Sequence, residues 1–264
     1  MSMKYSKIIR KALCLATFSL GAGTLSHAQT VAFADNFDGS DLGPAWQAST
    51  WANGSPFACT FAAGNVTKGN GTLNLAFLAQ SSASQDTCSE VKTTQTFQYG
   101  SFVVYMKPAW TDPSPAAPST SGPSTGTVSS FFLYTGRSGT RSHFEIDIEF
   151  VAGTKTLHTN YWVQGKPNPQ DFYLPDPRYS GIDPDDGIHG YRFDWKPSGI
   201  TWYAQNASGG WTLLRNVPVN ITAKMPAMMN VWIGDNTIAG WTGTFNPAST
   251  PNGAAHYDSV TITK

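Results

Sequence analysis

His143-Phe144-Glu145-Ile146-Asp147-Ile148-Glu149-Phe150 sets three carboxylates two residues apart, with apolar residues between them. Side chains alternate faces along a β-strand with a period of two. On a strand, Glu145, Asp147 and Glu149 share one face, and Phe144, Ile146, Ile148 and Phe150 share the other. Three like charges in a row are electrostatically costly, and crowding is also how a site splits carboxyl pKa values into an acid and a base. A strand rises about 3.3 Å per residue, so the Cα atoms of Glu145 and Glu149 stand roughly 13 Å apart. Each side chain reaches roughly 4 Å toward the other, leaving about 5 Å between the carboxyl groups. That separation permits double displacement at an anomeric carbon, in which one glutamate attacks while the other protonates the leaving oxygen and then activates water. Asp147, between them, can tune the ionisation of the attacking group. The same pattern also fits a charged edge face that discourages aggregation, or a calcium site.

Outward from this run, strand-like segments recur: Gly71–Phe77, Gly100–Lys107, Val128–Tyr134, Thr156–Val163, Met228–Ile233 and His256–Thr263. Gly190–Trp195 and Gly199–Ala204 read as a strand pair joined across Lys196-Pro197-Ser198. Many short strands with turn signals between them indicate an all-β sandwich or jelly roll. No convincing amphipathic helix or internal repeat follows the first 28 residues. Asp112–Gly126 and Gly165–Gly187 read as long surface loops, the first rich in Pro, Ser and Gly, the second in Pro and Asp.

Residues 1–28 have the layout of a secretory signal peptide: a start carrying Lys4, Lys7, Arg10 and Lys11, an apolar stretch, and small residues in Ser26-His27-Ala28. Cleavage after Ala28 leaves residues 29–264, enough for one domain with a sizeable core. Without the four leader cations, 13 Lys+Arg face 17 Asp+Glu, a net charge of −4. That balance argues against nucleic acid or an anionic surface as partner. We expect a secreted or periplasmic monomer with no membrane segment after cleavage. The exported part keeps two cysteines, Cys59 and Cys88, an even number that suggests one disulfide. It also keeps all nine Trp at a low charge density, a composition suited to a neutral ligand such as a sugar.

The acidic run resembles the active-site signature of glycoside hydrolase family 16, and nearly the whole exported chain takes part in the resemblance. The bacterial licheninase pattern is matched by Trp51-Ala52-Asn53-Gly54-Ser55-Pro56-Phe57-Ala58-Cys59-Thr60, by Cys88-Ser89-Glu90-Val91-Lys92 and by the Tyr99–Pro108 strand. Val128–Gly136, Met228-Met229-Asn230-Val231-Trp232 and Trp241 complete it. The resemblance implies a β-jelly roll of two antiparallel sheets with a concave glycan-binding cleft. It implies a retaining endo-β-glucanase acting on 1,3-1,4-β-glucan, with Glu145 as nucleophile, Asp147 assisting and Glu149 as acid/base. It implies a Cys59–Cys88 disulfide and cleft contacts from Asn53, Phe57, Glu90, Lys92, Tyr134, Asn160, Trp162, Asn230, Trp232 and Trp241. No cofactor is expected for catalysis. Some members bind a structural calcium, which here would use Asp258 and the carbonyls of Asn36 and Gly71.

Three features depart from the licheninase pattern. His143-Phe144 replaces its Trp-Asp; a His here is reminiscent of plant xyloglucan endotransglycosylases. By parity His143 faces the cleft, where it can bond Glu145 or substrate, or merely fill the position. Lys92 stands in place of an Arg, keeping the charge but losing the planar fork. The Asp112–Gly126 loop is longer. A transglycosylase or an exopolysaccharide depolymerase of the succinoglycan-degrading kind therefore stays open on the same scaffold. A non-catalytic glycan-binding module is disfavoured, because both glutamates are present.

Overall fold

The computed structural model describes residues 30–52, 54–80, 85–109, 126–248 and 252–264. The expected leader, most of the Asp112–Gly126 loop and Asn53 lie outside them. Alternation governs the strands as expected. Thr72–Leu78 buries Leu73, Leu75 and Phe77 and leaves the residues between them half-buried. Phe144–Val151 buries Ile146, Ile148 and Phe150 beneath its acidic face.

The strands form two layers. The concave layer runs Trp46–Ala48, Thr87–Thr93, Ala227–Ile233, Thr127–Thr135, Phe144–Val151 and Thr156–Val163, each antiparallel to its neighbour. The outer layer runs Trp211–Val217, Gly199–Gln205, His189–Lys196, Gly100–Lys107 and Asn252–Thr263. Beyond that last strand, Val31–Asp35 and Thr72–Leu78 share its free edge, and Val66–Gly69 follows Thr72–Leu78. This is the all-β jelly roll. One pairing is parallel, Thr60–Phe61 against Thr87–Cys88, and the Cys59–Cys88 disulfide closes beside it with Cα atoms 5.8 Å apart.

Aromatic rings fill the space between the layers. Phe193 stacks on Phe102 at 4.9 Å and meets Phe131 of the concave layer at 5.9 Å. Trp195 and Trp202 are fully buried, as expected of core residues. Two outer-layer side chains reach through the core to the backbone beneath the acidic face. Trp202 Nε1 donates to the Asp147 carbonyl at 2.9 Å, and the Tyr257 hydroxyl lies 2.9 Å from the Ser130 carbonyl and 3.2 Å from that of Asn230. A buried hydroxyl or indole N–H needs such a partner. Satisfying it here also fixes the height of three neighbouring concave strands.

Some expectations need correction. Gly165–Gly187 is not wholly loop. Lys166–Pro167 and Gln170–Tyr173 pair with Thr156–Val163 at the edge of the concave layer. The final strand begins at Asn252, not His256. Trp211–Val217 escaped notice because, as an edge strand, its burial does not alternate. Among the described residues the longest α-helix is Ala239–Thr242, and no helix is long and apolar enough to cross a membrane.

Candidate active site

Register arranges the concave face in rows across the strands. Tyr134, Glu145 and Trp162 form one row. Lys92, Met228, Phe132, Asp147 and Asn160 form the next. Glu90, Asn230, Ser130, Glu149, His158 and Asp171 form the third. Directly opposed residues on one face have Cβ atoms about 4.5–5.5 Å apart, so each row is a string of neighbours.

Burial shifts all three carboxyls of the acidic strand upward, because the charged form loses water. Desolvation is the largest cause for Glu145, and the hydrogen bond from His143 pulls it back down. Asp147 is 2% exposed, and its Oδ2 has no hydrogen-bond partner. Desolvation, then Glu145, then Glu149 hold its carboxyl well above the usual carboxylate range. Glu149 is pushed up to about 8 by desolvation and by the charge of Glu145, against a weak pull from Ser130, whose Oγ lies 3.5 Å from Oε1. The strand thus carries one carboxyl with a dedicated hydrogen-bond donor and one that keeps its proton at neutral pH.

The donor to Glu145 is His143, whose Nε2 lies 2.6 Å from Oε2. The Gly139 backbone N–H points at Nδ1 at 3.2 Å. An N–H needs a lone pair to accept it, so the ring proton sits on Nε2 and is donated to Glu145. The imidazole stacks on Trp162 at 4.6 Å and lies 5.3 Å from the Tyr134 ring. His143 is 1% exposed. Parity puts it on the expected side, and of the expected alternatives the structure shows the bond to Glu145, with the ring otherwise covered.

The other expected contacts divide. Glu90 is buried and raised by desolvation; Ser49 Oγ donates to its Oε1 at 2.7 Å and Asn230 Nδ2 to its Oε2 at 3.3 Å. Asn230 Oδ1 is buried without a hydrogen-bond partner. Lys92 sits two residues along, and its charge lowers Glu90. Asn160 Oδ1 takes the Asn168 N–H at 2.9 Å, tying the hairpin after Val163 to the cleft. Trp241, Trp232 and Phe57 form an aromatic wall with centroid separations of 6.1 and 4.7 Å. Trp232 is only 5% exposed, so most of its ring is wall, with little free face for a sugar. Sequence reasoning missed the floor residues Ser130, Phe132 and Met228, although their strands were recognised. It also missed His158 and Asp171.

The residues expected to hold a calcium ion lie near one another by backbone register. Asp35 lies opposite Val260, and Leu73 lies opposite Tyr257. Asn36 and Gly71 therefore flank the irregularity that carries Asp258. The Asp38 carboxylate lies close beside Gly71. An all-oxygen set of this kind fits calcium.

A concave sheet face with a largely desolvated trio of carboxyls, amide and hydroxyl groups beside them and an aromatic wall defines a glycoside hydrolase. Residues 53–253 match the glycosyl hydrolases family 16, and the chain belongs to that family. The Beta-glucanase of Bacillus subtilis is 34% identical over 236 residues, which are 88% of this chain and 86% of that one. The solved Bacillus licheniformis β-glucanase superposes with a TM-score of 0.71 at 31% identity, covering 89% of this chain and 98% of that one. A solved prokaryotic β-1,3-1,4-glucanase (lichenase) from a mouse hindgut metagenome is 28% identical with a TM-score of 0.68, covering 88% of this chain and 98% of its own.

Proposed function

We propose that the protein is a secreted retaining endo-β-glucanase that cleaves 1,3-1,4-β-glucan. The observation that carries this reading is the division of labour along one strand face. Glu149 holds its proton at neutral pH, while Glu145 receives the Nε2–H of His143. Glu145 attacks the anomeric carbon as Glu149 protonates the departing oxygen; Glu149, now a carboxylate, then takes a proton from water as it hydrolyses the glycosyl-enzyme. Asp147, its carboxyl held well above the usual range, stands between them and steadies the charge on Glu145. The names of the relatives support a β-glucan substrate, and the lichenase neighbour supports the mixed linkage. Residues 1–28 act as the export leader, and the Cys59–Cys88 disulfide suits an oxidising destination.

The test is reducing-sugar release from lichenan, barley glucan, laminarin and succinoglycan. We expect release from the first two, and a loss of about 10³-fold or more in Glu145→Gln. Release from laminarin or succinoglycan alone overturns the linkage. No release from any of them overturns the hydrolase reading. Activity that survives in the variant overturns the nucleophile. The first product should carry the β-anomer by NMR; an α-anomer excludes retention.

The Asp258 carboxylate with the carbonyls of Asn36 and Gly71 is proposed to hold a calcium ion, which would brace the junction of three strands. A chelator should then lower Tm and added calcium restore it. An unchanged Tm removes the site.

A further inference from the structure

His158 and Asp171 lie in the Glu149 row, on the side away from Glu90 and Asn230. His158 is directly opposite Glu149, and Asp171 is directly opposite His158. The imidazole Nδ1 is 2.5 Å from Asp171 Oδ1. A carboxylate only accepts, so the proton lies on Nδ1 and the opposite nitrogen, Nε2, keeps a lone pair in the neutral ring. Among the described residues no hydrogen bond takes Nε2. The ring lies 5.0 Å from the Trp241 indole, which blocks one side of it. His158 is mostly buried while Asp171 is well exposed at 61% of its side chain. A mostly buried imidazole is thus held in one orientation beside the acid/base carboxyl, with one nitrogen left over.

We propose that His158, oriented by Asp171, binds the sugar on the leaving-group side of the scissile bond, Nε2 accepting one of its hydroxyl protons. This rests on the retaining glucanase reading above. In that mechanism the anomeric carbon stands over Glu145 and the departing oxygen over Glu149. His158 neighbours Glu149, whereas the neighbours of Glu145 are Tyr134 and Trp162. The ring therefore meets the sugar that leaves, which is also where an acceptor sugar sits if the glycosyl-enzyme is intercepted. His158 is a binding residue and Asp171 a positioning residue acting through it.

Two substrates separate this role from a structural one. A mixed-linkage glucan places a sugar on the leaving side, whereas an aryl glycoside of a glucan oligosaccharide places only a phenol there. His158→Ala should lower kcat/KM on the polymer by about tenfold, the worth of one hydrogen bond to a buried site, and leave the aryl substrate within about twofold. His158→Gln, which retains an acceptor, should recover part of the loss. Asp171→Ala should follow His158→Ala, and Asp171→Asn, which still accepts from Nδ1, should be milder. Equal losses on both substrates overturn the proposal, since they mean that His158 acts on Glu149 or on folding. No loss on either also overturns it. A wild-type protein that cleaves neither substrate fails the glucanase reading itself, and that failure is visible before any variant is made.

Discussion

Glu145 and Glu149 have the same side chain on the same strand face, yet only Glu145 receives a hydrogen bond from its neighbouring histidine. The Gly139 amide fixes which nitrogen of His143 carries the proton, and that proton goes to Glu145. The bond lowers the Glu145 carboxyl against the rise from burial. We expect a bell-shaped dependence of kcat/KM on pH, with an acid limb from Glu145 and an alkaline limb near the Glu149 value of about 8. His143→Phe retains a ring against Trp162 but has no proton to donate. It should move the acid limb upward and lower the neutral-pH rate by about tenfold, leaving the alkaline limb in place. An unmoved acid limb would mean that His143 only fills space. Parity in the sequence placed His143 beside Glu145. The choice between bonding Glu145, bonding substrate and filling space was not legible, because it depends on Gly139, which reaches the ring through the turn between two strands.

At the scale of elements, the strands recognised from sequence are those with one face in the core, where alternation is enforced by burial. Thr72–Leu78 and Phe144–Val151 are of this kind. Lys166–Pro167 and Gln170–Tyr173 are short edge pieces whose residues are mostly exposed, so hydrophobic period carries no signal there. The cost of missing them fell on the site: Asp171 belongs to Gln170–Tyr173, and without that strand His158 had no visible partner. The turn before the acidic strand is equally dependent on local geometry. Gly136 has φ +92°, and a Cβ there would come within 1.9 Å of the Ser142 carbonyl oxygen. The disulfide ties Cys59 to Cys88 over a separation of 29 residues, next to the parallel pairing. Chain entropy for a loop of that length gives about 3–4 kcal/mol, so Cys59→Ser and Cys88→Ser should each lower unfolding stability by about that amount. Denaturant titration checks it, and identical midpoints before and after reduction would show that the link adds nothing.

The whole molecule bears the cost of its site. Asp147 and Glu90 are nearly fully buried, Glu149 is half-covered, and all three carboxyls are raised chiefly by desolvation. The sign of the resulting pH dependence follows from which state holds the proton. A carboxyl whose folded pKa lies above its unfolded value is protonated in both states at low pH. As pH rises past the unfolded value, the unfolded chain releases its proton first, and the folded state loses stability until its own carboxyl ionises. For Glu149 that window runs from the ordinary glutamate range up to about 8. Outside it the contribution is flat. Thermal stability should therefore fall between about pH 5 and pH 8, in contrast to a protein whose carboxylates are held by cations and which gains stability over the acid part of that range. Glu149→Gln mimics the protonated carboxyl in size and removes its titration. The variant should melt close to wild type near pH 5 and above it near pH 8, each kcal/mol of the difference reading as about 2–4 °C in a chain of this size. Parallel melting curves across that range would show that the cleft ionises Glu149 without cost, and would also deprive it of the proton that the acid step requires.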